Sequence, residues 1–449
     1  MKRIVQSLMG CLTLVIASQL AHAQYQYPTA GGDYQQVSSQ NEMSVYNNTC
    51  APADCCGFQD MSCCRNSCSN TTFGGWVQAG WMGNTRGWTG QNPTPGNILQ
   101  GTTGNTDIVL NQAWIFGEKS INKYSCGWDW GWRVDFGYGS DMPGWQTYND
   151  IGDLVPSNHH NTQSFDYGWL TGGGGTSVMY GAAMPQLYAT LKYNRLSAKI
   201  GRFLSPMGYE SIMAPADRNY FYSHSYSFNY FSPHTMTGVM GEFAANRQLS
   251  LLLGWTNGWN CGPSFNSRGG SMVNGGFQYR PNKCFELSYM FSAGDVFNQN
   301  DNVFGGLKPH GYFHSILADW KVTHRLRLGL ETTYANFDTN NAFYSANLGN
   351  AKWWTLANYL SYDLNRCWST ALRFEYVDMD NLFYSFNPFM FGGFSVPPSN
   401  LYSLTWGVTW KPGASRHLAV RPELRYDWFN AGGRTTDLLS GGLGVTYVF

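Results

Sequence analysis

Residues Trp128–Gly139 read WDWGWRVDFGYG. Trp128, Trp130, Trp132, Val134, Phe136 and Tyr138 take the even positions, and Asp129, Gly131, Arg133, Asp135, Gly137 and Gly139 the odd ones. Successive side chains of an extended strand point to opposite faces. The stretch therefore carries six bulky apolar groups on one face and charges or glycines on the other. The same division recurs downstream. Leu418, Val420, Leu424, Tyr426 and Trp428 alternate with Arg421, Glu423, Arg425 and Asp427. Leu326, Leu328 and Leu330 stand against Arg325, Arg327 and Glu331, and Tyr402, Leu404, Trp406, Val408 and Trp410 against Ser403, Thr405, Gly407 and Thr409. Pro422 interrupts one of these runs, and without an N–H it fits best near an edge or a bulge.

Composition says what the apolar face meets. The chain has 449 residues, 43% hydrophobic and 16% aromatic, with only 12% charged and a formal net charge of zero. About 25% charged is ordinary for a soluble domain. A mean hydropathy of -0.33 does not fit a bundle of apolar membrane helices, and no window after the first residues nears the ~18 apolar residues such a helix needs. A soluble sandwich also alternates, but it would carry more Lys and Glu and average five or six residues per strand. Most segments here run ten or more residues, which crosses a bilayer at a tilt. Electroneutrality offers no basic footprint for nucleic acid, so none is expected as a partner.

The first 23 residues, MKRIVQSLMGCLTLVIASQLAHA, carry Lys2 and Arg3, an apolar stretch to Ile16 and an A-x-A site at Ala21–Ala23. They read as a signal peptide, favoured over lipidation at Cys11. Residues 24–73 form a Cys-rich segment with Cys50, Cys55, Cys56, Cys63, Cys64 and Cys68. In an oxidising compartment these are disulfide candidates, and tandem Cys pairs do not match the usual zinc spacings.

From Gly74 to Phe449 the alternation marks strands near 74–83, 107–119, 127–139, 183–193, 196–204, 235–244, 248–259, 273–280, 284–294, 311–322, 324–336, 352–363, 366–377, 401–411, 417–428 and 438–449. Short turns such as Asn194-Arg195, Thr323 and Leu364-Asn365 alternate with long connections at 84–106, 140–182, 205–234, 260–272, 295–310, 337–351, 378–400 and 429–437. That is the connectivity of a bacterial outer-membrane barrel, with short turns at the periplasm and long loops outside. The expected fold is all-β: a closed antiparallel transmembrane barrel of about sixteen strands in outer-membrane lipid, with an N-terminal Cys-rich periplasmic extension. A barrel in lipid leaves no unpaired edge. The last strand, with Leu443, Val445, Tyr447 and Phe449 on one face, should therefore pair with GGWVQAGWM at 74–82.

Several stretches resemble the β-barrel porin family described as OmpL-like. They are GGWVQAGW at 74–81, WDWGWRVDFGYGSD at 128–141 and YGAAMPQLYATLKYNRLSAKIGRF at 180–203. PMGYESIMAPADRNYFYSHSY at 206–226 and TMTGVMGEFAANRQLSLLLGWTNGW at 235–259 continue the likeness. The resemblance implies an outer-membrane porin passing small hydrophilic solutes and ions, and a homotrimer. The terminal Phe similarly resembles the signal read by the outer-membrane assembly machinery.

A sixteen-stranded pore is water-filled, and its selectivity depends on what narrows it. The third long connection, rich in Tyr and Phe, is the expected constriction, with Glu210, Asp217, Arg218, His224 and His234 as its polar groups. The alternative is an external loop packed on its neighbours. Alternation assigns Arg133, Asp135, Lys199, Arg325, Arg327, Glu331, Arg373, Glu375, Arg421, Glu423, Arg425 and Asp427 to the lumen wall. Either these charges form a rigidifying ladder, or the arginines face Glu210 and Asp217 across the pore and set a transverse field. Trp76, Trp81, Trp128, Trp255, Trp353, Trp368, Trp410 and Trp428 are candidates for interfacial girdles, with sugar stacking as the rival use. Cys126, Cys284 and Cys367 fall beside short turns, where bonds to the N-terminal cysteines or to another protein would tether the envelope; Cys261, on the other side, would not. An envelope-anchoring barrel and a sugar-selective channel are the alternative functions. No serine elbow accompanies His314, the one histidine placed outward mid-strand, so no enzyme, metal or cofactor is expected.

Overall fold

The alternating segments pair edge to edge, because an extended chain in hydrocarbon satisfies its N–H and C=O groups only through neighbouring strands. The computed structural model describes residues 71–85, 108–122, 126–147, 165–166, 169, 180–262, 269–297, 310–338, 350–380, 399–414, 417–431 and 434–449. The strands are β1 (Thr71–Asn84), β2 (Val109–Lys119), β3 (Trp128–Gly139), β4 (Gly181–Tyr193), β5 (Leu196–Leu204), β6 (Thr235–Ala244), β7 (Leu249–Trp259), β8 (Gly269–Asn282), β9 (Phe285–Phe297), β10 (His310–Lys321), β11 (Leu326–Asp338), β12 (Ala351–Asp363), β13 (Trp368–Asp380), β14 (Ser399–Trp410), β15 (Leu418–Ala431) and β16 (Arg434–Val448). Each pairs antiparallel with its sequence neighbours, and β1 pairs with β16 to close the barrel.

Closure runs from Trp76↔Val448 to Asn84↔Ser440. It ends in a reciprocal pair, Gly75 N–H to Phe449 O at 3.0 Å and Phe449 N–H to Gly75 O at 2.9 Å. Leu443, Val445, Tyr447 and Phe449 all point outward and are exposed. A strand of about twelve residues at about 3.3 Å per residue, tilted near 45°, spans roughly 28 Å, about the hydrocarbon thickness.

Eleven strands run past their sequence limits, β1, β8 and β16 the furthest. β1 starts at Thr71 rather than Gly74, β8 runs 269–282 rather than 273–280, and β16 starts at Arg434 rather than 438. Their added residues are mostly Gly, Ser, Thr and Arg, which pair through the backbone without showing alternation. Pro422 faces outward within β15. The β14–β15 pairs pass from Gly407↔Glu423 to Trp410↔Val420, so the ladder is open where the proline lacks a donor. The cysteines at 50–68 lie outside the described residues. Cys126 is disulfide-bonded, whereas Cys261, Cys284 and Cys367 are free.

The tryptophans divide between the faces. Trp81, Trp128, Trp255, Trp368 and Trp410 are exposed outside, but Trp76 and Trp353 are buried inward. Trp76 and Trp81 are five residues apart on one strand and cannot share a face; adjacent Trp353 and Trp354 cannot either, and Trp354 is the exposed one. The girdle expectation fails for Trp76 and Trp353.

Candidate functional site

Lumen-facing side chains come from alternate positions of the strands, with one deviation that matters. The β1–β2 pairing shifts by one residue at Gln78/Ala79. Such a bulge lets two neighbouring side chains face the same way, and Asn111 and Gln112 both turn inward, fully buried. Both donate to the Asp141 carboxylate, at 3.4 and 2.9 Å. Burial pushes the Asp141 carboxyl up to about 8 against the effect of these two donors.

Residues 205–234, between β5 and β6, lie inside the barrel and are mostly buried. They include a short helix α1 (Tyr226–Phe231), capped by Ser225, whose side chain accepts from Phe228 N–H. The segment spans the lumen. At one wall Tyr209 stacks on Tyr359 of β12 at 4.3 Å and donates to Asp319 of β10. At the opposite wall Tyr222 donates to Asn111 of β2, and Gln112 donates to Ile212 O while accepting from Ala214 N–H. Ile212, Met213, Ala214 and Phe228 pack with Trp76, Trp114 and Phe116 of β1 and β2, and Met207, Tyr226 and Phe231 pack on the other side with Phe337, Trp353 and Leu401. Each fully buried aromatic contributes about 1.5–3 kcal/mol.

The wall makes room with glycines. A Cβ added at Gly80, Gly442 or Gly444 would meet the Tyr222 ring, at Gly329 the Tyr209 ring and at Gly407 the Phe221 ring. It also supplies the hydrogen bonds that an irregular buried backbone lacks. Glu423 accepts from Tyr222 N–H at 2.8 Å and Ser223 N–H at 3.0 Å, Glu331 from Tyr209 N–H at 3.1 Å, and Glu375 from Tyr226 N–H. Arg373 donates to Ser223 O at 2.9 Å and Arg425 to His224 O at 2.7 Å.

Glu210 is the centre of this fastening. Its carboxylate accepts from Arg373 Nη1 at 2.8 Å, Tyr359 OH at 3.0 Å and Ser225 N–H at 3.0 Å, and meets His224 Nδ1 at 2.7 Å. Burial raises its pKa, but Arg373 and His224 outweigh burial and hold the carboxyl at about 2. Arg218 pairs with Glu286 at 2.7 Å and Asp319 at 3.3 Å, near the short-turn ends of β9 and β10. The tip of the segment thus descends deep into the barrel. His234 bonds Phe228 O through Nε2, and burial pushes its imidazole down to about 4.

The remaining wall residues sort by partner. Arg133 pairs with Glu118 and Asp135, Arg327 with Asp319, Arg373 with Glu375, and Arg425 with Asp427 and Glu375. Lys199 lies over the Tyr188 ring at 4.9 Å. Arg421 donates to Thr446 Oγ1 at 3.1 Å. Arg325 sits exposed in the turn before β11 rather than on the wall. Arg373 does not face Glu210 across a gap but touches it, and Asp217 is exposed. The sequence reading missed Asn111, Gln112, Tyr209, Tyr222 and the seating glycines. Lumen-side glycines such as Gly442 and Gly444 were the available signal, since a strand glycine marks a close approach of something else.

A closed sixteen-strand barrel, apolar outside and polar inside, with a long connection folded into its lumen, is an outer-membrane barrel of the porin class. The chain belongs to the family described as "Putative beta-barrel porin-2, OmpL-like", which matches residues 70–449, and it lies in the bacterial outer membrane. A search of curated proteins finds no relative. Among solved structures it is similar to the outer membrane channel DcaP of Acinetobacter baumannii, at 11% identity over 85% of this chain and 97% of that one, with a TM-score of 0.53. It is also similar to an anion-selective porin from Comamonas acidovorans, at 10% identity over 85% of this chain and all of that one, with a TM-score of 0.50. At such identities the likeness establishes the fold.

Proposed function

We propose that the protein is a passive channel for small hydrophilic solutes and ions, in which residues 205–234 are the constriction. The observation that carries this reading is the fastening of that segment. Glu210, Arg373, Arg425, Glu375 and Glu423 hold an irregular stretch of backbone in mid-lumen, where it governs what passes. The lumen is wetter toward the short turns, where Glu118, Asp129, Lys199, Glu242, Arg280 and Glu286 are partly exposed, so a solute meets the tight zone beyond a polar vestibule. Two further roles extend the reading: a homotrimer in the membrane, and a tether through the N-terminal cysteines.

Dense packing favours a second reading, a sealed barrel with a structural role. Wall residues such as Thr256, Asn274, Ser292 and Thr355 are wholly inaccessible. Liposome swelling with the full chain separates the two. The channel reading expects swelling in small sugars and ionic osmolytes, with rates falling steeply as solute size increases. Liposomes that stay as tight as protein-free ones would leave only the sealed barrel.

A further inference from the structure

The buried lumen arginines follow a rule with one exception. Arg133, Arg202, Arg373 and Arg425 each have a carboxylate within ion-pair distance. Arg421 has none among the described residues, although it is only 7% exposed. Its Nη1 bonds Thr446 Oγ1, and its Nε is buried without an acceptor. A buried charge without a partner destabilises a fold. The nearest carboxylate on its own strand face, Glu423, points Oε2 at the Tyr222 and Ser223 amides, and its Oε1 has no donor.

Local geometry shows why no side chain fills the gap. Arg421 is the fourth residue of β15, near the short-turn end, and opposes Gly444 of β16, which has no side chain to offer. On the other flank the β14 ladder is open beside Pro422. Above it Tyr222 rests on Gly444. With Nη1 engaged by Thr446 and Nε enclosed by protein atoms, Nη2 is the donor left over, and a charged guanidinium N–H is a strong donor to a carboxylate or phosphate oxygen.

We propose that Nη2 of Arg421 binds the oxyanion of a small solute, a carboxylate or phosphate group, beneath Tyr222 of the inward segment. The proposal deepens the channel reading by naming a solute class, yet binding here does not require conduction. Removing the charge removes the site, and a shorter ammonium in place of the guanidinium weakens it.

The test uses the full chain in detergent, with the thermal midpoint of unfolding read by the mobility shift of the folded barrel on gels. Inorganic phosphate and acetate are added separately against chloride at constant ionic strength. A ligand that binds only the folded state raises the midpoint. In wild type at least one of the two should raise it beyond chloride, phosphate alone marking a phosphate site and acetate alone a carboxylate site. R421Q should lose the increment while unfolding no earlier than wild type without ligand, because an unpaired buried charge has gone. R421K, which keeps the charge but not the reach of the planar guanidinium, should retain less than half of it and decides the matter if R421Q does not fold. No increment in wild type, or an undiminished increment in the variants, overturns the site. Binding without liposome swelling would instead sink the channel reading and leave the site standing.

Discussion

The strands and the segment they enclose solve one problem in opposite ways. Both bury backbone where water is scarce. β13 and β14 satisfy theirs through each other, residue against residue from Trp368↔Trp410 to Met379↔Ser399, and their side chains are free to vary. Residues 222–226 have no strand partner, and their amides and carbonyls are met by Glu423, Glu375, Arg373 and Arg425 of the wall. The strands therefore depend on pattern, whereas the segment depends on particular residues. A change on the wall can release the segment and leave the barrel intact.

Arg373→Ala tests that contrast most severely. It strips Glu210 of its ion pair and Ser223 O of a donor in a fully buried place, and breaking such a pair costs about 3–5 kcal/mol. Hydrogen exchange should speed up across 205–234 while the strand amides of β6–β16 keep their protection, and channel conductance should rise. Exchange rising equally in both regions would erase the comparison. Acid probes the same clasp. With its carboxyl held at about 2, below the ordinary 4.5, Glu210 contributes stability that is present above pH 4.5 and lost as pH falls from there toward 2. The variant lacks the main opposing charge and should begin to loosen at a higher pH.

How the segment is seated gives a smaller and more specific effect. Gly444→Val puts methyls where the Tyr222 ring lies, and overpacking of this kind costs about 1–3 kcal/mol. Tyr222→Ala in the same chain should recover most of it, a coupling readable as non-additivity in urea midpoints of the two single variants and the double. Additive losses would mean that Gly444 is small for another reason.

The barrel was legible because its cause is periodic. WDWGWRVDFGYG shows its faces in twelve letters, and the closing pair of β1 and β16 follows from the need to leave no edge. The segment was legible only as a stretch rich in Tyr and Phe. Glu331, Glu375 and Glu423 look on the page like acids answering arginines, and they do line the lumen, but only Glu375 pairs with arginines, and all three accept from backbone amides of a segment a hundred or more residues away in sequence. No local rule encodes that. Asn111 and Gln112 escaped for a different reason: a bulge breaks the period on which every assignment of face was based.

The smallest expected effect separates two arginines that the sequence treats alike. In Arg325-Leu326-Arg327 both precede apolar residues, and alternation puts both on the lumen face. Arg327 forks onto Asp319 through Nε at 2.7 Å and Nη2 at 2.6 Å, and the same carboxylate takes Arg218 from the segment tip. Arg325 begins two residues earlier, in an exposed turn, with only its backbone engaged: its N–H by Thr323 Oγ1 and its carbonyl by Asp363 N–H. Alanine at 327 should cost about 1–2 kcal/mol in urea unfolding, the worth of a partly solvated charge-assisted pair. Alanine at 325 should stay within about 0.5 kcal/mol, as surface changes do. Equal losses would return Arg325 to the wall and make the turn, not the strand, the start of the lumen face. Unequal ones fix the point where pattern stops predicting and position takes over.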